Sequence, residues 1–157
     1  MPVDKDLIAY CGLYCGDCFA HQGTVADLSR DLITELRKNP FGKLAESFSD
    51  VPLFAVFKDY QQCYDVLVAL VRLPCRNTCK GGGCPPFCKM RKCYQKKGIE
   101  GCWECVDFET CDELDFLKAG HRDAQLKSLR KLQKAGVDSY LKGKKYWYSD
   151  SSGGGNA

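Results

Sequence analysis

The stretch Cys75-Arg-Asn-Thr-Cys79-Lys-Gly-Gly-Gly-Cys84-Pro-Pro-Phe-Cys88-Lys-Met-Arg-Lys-Cys93 is followed at short range by Cys102-Trp-Glu-Cys105 and Cys111. Thiols at this density match what a soft or borderline metal needs, several sulfur donors about 2.3 Å from one point. Close spacing brings them together at little cost in loop entropy. Cys102 and Cys105, two residues apart, form a standard zinc half-site. Gly81, Gly82 and Gly83 are expected to turn as a tight knuckle between Cys79 and Cys84. The segment therefore reads as one that folds around metal. The expected fold class is mainly α with irregular cysteine-rich metal-binding loops, in a small single domain.

A second group lies near the start, Cys11-Gly-Leu-Tyr-Cys15-Gly-Asp-Cys18. Three thiolates leave a tetrahedral site one ligand short, and His21 or a cysteine of the later group is positioned by sequence to complete it. This spacing is also the one that holds the iron–sulfur cluster of radical-SAM enzymes. Those motifs carry an aromatic residue before the third cysteine, where this chain has Asp17. They also sit on a strand-rich barrel, and strand signals here are weak. The later array lacks the C-x2-C-x2-C run of ferredoxins. Zinc is the expected metal, with an iron–sulfur cluster as the alternative.

The candidate ligands are Cys11, Cys15, Cys18, Cys75, Cys79, Cys84, Cys88, Cys93, Cys102, Cys105 and Cys111, enough for about two or three zinc ions. Cys63, the remaining one of 12 cysteines, falls in an apolar helical run and is expected to be a small buried residue. His21 is open between ligand and polar residue at a helix start. His121 reads as a solvated helix start. Nothing marks Cys102 and Cys105 as a redox pair, since no βαβ setting surrounds them. The three glycines lack the strand and lysine-serine of a phosphate loop.

Working outward, residues 24–73 read as a helical insert between metal segments 11–21 and 75–111. Thr24 can cap a helix carrying Val25, Leu28, Leu32, Ile33 and Leu36 at helical spacing. Asn39-Pro40 ends it, and a short helix is expected over 41–48. Asp50 and Pro52 open a run from Leu53 to Leu73 that is apolar on nearly all sides, the pattern of a buried central helix. Pro74 stops it. A helical tail, 119–148, carries Ala124, Leu126, Leu129, Leu132 and Ala135. Gly136 is the expected C-cap, with a short helix over 137–141. The expected domain is 1–148, and the Ser/Gly-rich end, 149–157, is expected to be disordered.

The 157 residues carry a formal net charge of +3. Eight thiolates on two zinc ions would bring the total to about −1. Two basic stretches, with Lys80, Lys89, Arg91, Lys92, Lys96 and Lys97 in the first, leave nucleic acid as a less favoured partner, because lysines beside thiolates also offset their charge. The start of the chain has no basic-then-apolar signal pattern, and no run reaches the roughly 18 apolar residues of a membrane span. These features give the expectation of a cytoplasmic protein with reduced thiols and no membrane partner. An all-cysteine donor set with two histidines argues against a catalytic zinc, which keeps an open position. The expected role is thus structural zinc binding in a protein-interaction module with an unknown protein partner, the alternatives being an iron–sulfur or thiol redox protein and a nucleic-acid-binding zinc protein.

The first motif, together with Cys79-Lys-Gly-Gly-Gly-Cys84, Cys88-Lys-Met-Arg-Lys-Cys93 and Gly101-Cys102-Trp-Glu-Cys105-Val-Asp-Phe-Glu-Thr-Cys111, resembles a cysteine-rich prokaryotic family catalogued as the domain of unknown function 3795. The tail around His121-Arg-Asp-Ala and Ala135-Gly136-Val137 is similar as well, so the resemblance runs from Tyr10 to Tyr148. It implies a bacterial or archaeal origin, a cytosolic setting and zinc binding, and it implies no activity.

Overall fold

The helical periodicity that begins at residue 24 folds as helix. A computed structural model describes residues 5–83 and 87–147, and within them the chain is helical with irregular connections. The only strand-like pairing among the described residues is an isolated bridge between Ile8 and Tyr14. No helix among them is long and apolar enough to cross a membrane. The chain divides into two compact units, Phe19–Cys75 and Met1–Cys18 with Arg76–Ala157. We call them the helical unit and the cysteine unit.

The helical unit contains α1 (Phe19–Gln22), α2 (Thr24–Lys38), α3 (Phe41–Phe48), a 3-10 stretch (Pro52–Asp59) and α4 (Tyr60–Val71). Thr24 does not cap α2. Gly23, in a left-handed conformation, takes the N-cap position, and Thr24 is the first helical residue. The buried side of α2 is Ala26, Ser29 and Ile33, whereas Val25, Leu28 and Leu32 are exposed. Small residues let α2 lie close to α4, its main partner. Pro40 separates α2 from α3 as expected, because it has no N–H to continue the ladder.

The segment from Leu53 to Leu73 differs from the expected buried central helix in two ways. It is broken at Asp59 into the 3-10 stretch and α4, and neither contains a buried residue. Leu53 is 81% exposed, Val56 68% and Val66 58%. Apolar residues on every side are buried only if neighbours exist on every side, and in this unit α4 packs on α2 and the 3-10 stretch. Cys63, expected to be buried, is exposed on α4 for the same reason. Aromatic rings knit what core there is. Phe48 stacks on Phe54 at 5.5 Å, Phe54 on Phe57 at 5.7 Å, and Phe41 meets Phe57 edge-on at 5.6 Å.

Among its described residues the cysteine unit contains five 3-10 turns (Lys5–Leu7, Cys15–Asp17, Cys102–Glu104, Phe108–Thr110 and Asp112–Leu117), with α5 (Lys89–Lys97), α6 (Lys118–His121) and α7 (Ala124–Lys142). Its core is made by the loop Ile8, Ala9, Tyr10, Cys11 and Leu13 against Ala124, Leu129 and Leu132 of α7, all buried. Of the expected α7 stripe, Leu126 is half-buried and Ala135 exposed. Gly136 has φ 76° and ψ 168°, so it ends the first part of α7 and a short second part follows, as expected. His121 is not a solvated helix start. It closes α6, with Nδ1 2.7 Å from the Trp147 carbonyl and its ring edge-on to the indole. The expected disordered end, 149–157, lies outside the described residues.

The kink turns Tyr140 back into the core, fully buried, where its hydroxyl donates to the Gly12 carbonyl at 3.0 Å. The Ser128 hydroxyl is 3.2 Å away, and burial pushes the phenol up to about 12. Tyr140→Phe removes the donor and leaves the Gly12 carbonyl buried without it, so a loss of about 1–2 kcal/mol is expected in denaturant unfolding. An unchanged midpoint would mean that another donor reaches that carbonyl.

Candidate metal centre

Three Cys-containing turns of the cysteine unit share one local geometry. Cys15–Asp17 is a single 3-10 turn, and the Cys18 N–H donates to the Cys15 carbonyl at 3.0 Å. Cys102–Glu104 repeats it, with Cys105 N–H to the Cys102 carbonyl at 3.1 Å. Phe108–Thr110 does the same for Cys111, whose N–H donates to Phe108 at 3.4 Å. In the first two, the turn folds a Cys-x2-Cys pair back on itself; in the third, Phe108 stands where the first cysteine would be.

The knuckle is also formed. Gly82 N–H donates to the Cys79 carbonyl at 3.2 Å, Gly83 N–H to the Thr78 carbonyl at 2.8 Å, and Gly81 N–H to the Thr78 hydroxyl at 3.0 Å. Cys84 lies outside the described residues. Cys88 is the N-cap residue of α5, and Cys93 lies on that helix. The Cys102 N–H donates to the Tyr10 carbonyl at 2.8 Å, which ties the loop of Cys11 to the Cys102 turn. Tyr10 in turn stacks on Tyr94 of α5 with ring centroids 3.7 Å apart.

Cys93, Cys102, Cys105 and Cys111 line one cavity of about 110 Å³, with Lys97 at its wall and Phe108 beneath. They come from α5 and from the two turns that follow it. Cys11, Cys79 and Cys88 are buried in the same core as Cys102, and Cys15 belongs to that core as well. Cys18 is half-buried in the first turn. Cys75 falls in the helical unit, where its N–H donates to the Ala20 carbonyl at 2.7 Å. His21, on α1, keeps a buried Nδ1 without a hydrogen-bond partner among the described residues. No disulfide joins the described cysteines. Among the described residues, no three His, Cys, Asp or Glu side chains are drawn together closely enough to hold a metal ion.

The electrostatics of the buried thiols carry two effects of one sign. Burial pushes the Cys102 thiol up to about 12, and the neighbouring Cys111, Cys93, Cys105 and Cys88 push in the same direction. Burial raises Cys11 strongly too, and Cys79, Cys102 and Cys88 add to it, against a lowering by the Leu13 backbone. Without a cation these groups favour the neutral thiol, and thiolates form there only with positive charge close by.

Basic side chains nearby supply part of that positive charge. Lys97 Nζ donates to Cys105 Sγ at 3.1 Å. Arg91 donates to the Cys79 carbonyl at 3.1 Å. Lys80 lies over the Trp103 ring, 5.7 Å from its centroid. Lys89 pairs with Glu113 at 2.8 Å. The basic stretch of α5 is therefore turned in good part toward the thiols and the acidic segment after them. The general role of these lysines is readable in the sequence, but the particular reach of Lys97 is not. Its one sequence signal is that it stands four residues after Cys93, on the same face of a helix.

A family model described as a protein of unknown function, DUF3795, matches residues 7–116. The chain belongs to that family. The match takes in every described thiol of the cysteine unit and stops before α7, so it does not extend to the tail segment 121–137. No curated protein and no solved structure matches this DUF3795 chain.

Proposed function

We propose that this DUF3795 protein uses its clustered thiolates to hold structural zinc, and that the metal fastens the cysteine unit of a protein-interaction module. The observation that carries the reading is the meeting of Cys93, Cys102, Cys105 and Cys111, from three separate elements, around one small cavity. The donor chemistry fits zinc, since four thiolates at tetrahedral angles are a closed structural site. The spacing of the side chains is wider than a coordination sphere, so loading would draw the thiols inward. Zinc binds cysteine as thiolate, so uptake would release protons.

The interaction half of the proposal is supported by the helical unit. Leu53, Val56, Leu28 and Val66 are its most exposed large apolar residues, and exposed apolar surface, where it is contiguous, is what a protein partner covers. The basic residues speak less for nucleic acid, because Lys89, Arg91 and Lys97 already have partners within the cysteine unit.

The test is elemental mass spectrometry of protein purified without oxygen and without a metal-affinity tag. About two to three zinc ions per chain and a colourless solution are expected. Iron with acid-labile sulfide, and visible charge-transfer bands, would replace the structural reading with a redox one.

A further inference from the structure

We infer that Lys97 is a positioning residue of the Cys93, Cys102, Cys105 and Cys111 site, acting through its hydrogen bond to Cys105 Sγ to set how firmly the metal is held. The inference rests on the zinc reading above and adds a residue and a control to it. Lys97 is the last residue of α5, and Gly98 turns the chain out of the helix immediately after it. The chain then returns through Gly101 into the turn that carries Cys102 and Cys105. This return places the end of α5 beside the second turn. Lys97 and Cys93 are one helical turn apart on one face, and both line the cavity. The ammonium lies 3.1 Å from Cys105 Sγ on one side and 4.0 Å from the Asp107 carboxylate on the other. Its side chain is 44% exposed, so replacing it opens no cavity in the core.

Four thiolates around a divalent ion leave the site at about −2. A positive donor hydrogen-bonded to one sulfur offsets part of that negative charge in the loaded site. It also takes up sulfur lone-pair density, which makes the bound thiolate a poorer nucleophile. Partners of this outer kind are worth about 10–100-fold in metal affinity where they have been removed elsewhere. Cys105 is half-buried while Cys102 beside it is buried, so Cys105 is a sulfur that competing chelators and electrophiles can reach.

The experiment uses the full chain loaded with zinc, and a parallel cobalt(II) sample. Lys97→Met and Lys97→Arg are each titrated with a chromophoric chelator. Lys97→Met is expected to hold its most weakly bound zinc about tenfold less tightly, with Lys97→Arg recovering most of the loss. In the cobalt samples the sulfur-to-metal charge-transfer band should shift in Lys97→Met and return in Lys97→Arg, a signature that a purely structural role would not move. Metal-loaded Lys97→Met should also be alkylated faster at Cys105, read by peptide mass spectrometry. If wild-type protein binds zinc and Lys97→Met matches it in affinity, spectrum and alkylation, the role of Lys97 is overturned and the zinc site stands. If wild-type protein takes up no metal, the zinc reading is overturned and the role of Lys97 goes with it.

Discussion

Cys102→Ser is expected to lose metal and to abolish the cooperative unfolding transition of the cysteine unit. Cys102 is buried, its N–H is tied to the Tyr10 carbonyl at 2.8 Å, and its thiol feels the neighbouring Cys111, Cys93, Cys105 and Cys88. A serine hydroxyl keeps the size but not the chemistry, because an alcohol stays protonated and is a poor zinc ligand. Structural zinc contributes about 10–16 kcal/mol of apparent binding free energy at neutral pH in small zinc-folded peptides. A whole domain is stable by only about 5–15 kcal/mol. Losing one central ligand therefore removes a quantity as large as the total stability. Cys63→Ser is the matched control, since Cys63 is exposed in the helical unit, and it should change neither metal content nor unfolding. The measurement is thermal unfolding by circular dichroism, with metal counted on the same samples. Chelation of the wild-type protein should reproduce the Cys102→Ser result. A Cys102→Ser variant with full zinc content and an unshifted transition would remove Cys102 from the ligand set.

What the sequence made legible here is what is local. The break at Pro40 follows from proline's missing N–H, and the end of the first part of α7 at Gly136 follows from a backbone conformation that glycine adopts freely. The Cys-x2-Cys turns are local too, since their 3-10 hydrogen bonds span three residues. The rest depended on what lies opposite. Leu53 to Leu73 has the composition of a buried helix, but composition does not say how many layers surround it, and within the helical unit its neighbours leave no residue of the 3-10 stretch or α4 buried. Cys63 was misread with it. Cys75 stands four residues before Cys79, yet its backbone is fixed to Ala20 in the helical unit, a pairing that no spacing encodes. The grouping of Cys93 with Cys102, Cys105 and Cys111 needed the fold of α5 against the later turns, and the bond from Lys97 to Cys105 needed it as well.

Gly12 lies against Leu129 of α7, and Gly12→Ala is expected to cost about 2–5 kcal/mol, combining left-handed backbone strain of roughly 1–2 kcal/mol with overpacking of roughly 1–3 kcal/mol. Gly12 has φ +83°, and a Cβ built on it would lie 2.8 Å from Leu129 Cδ2 and 3.4 Å from the Leu129 backbone nitrogen. Leu129 is fully buried, so it has no outward path by which to yield. Leu129→Ala alone should cost about 2–5 kcal/mol through the cavity it leaves. The two changes are not independent. In the Leu129→Ala background the leucine methyl that a Gly12 Cβ would strike is gone, and only the strain and the close backbone nitrogen remain. The double variant should therefore be more stable than the sum of the single losses, by an interaction within the range of about 0.5–3 kcal/mol seen for touching residues. Urea unfolding of the four proteins, zinc-loaded and at equal slope, measures this. Strict additivity would mean that Gly12 is needed for its φ alone, and that the helix-to-loop approach does not set the position of Cys11 beside it.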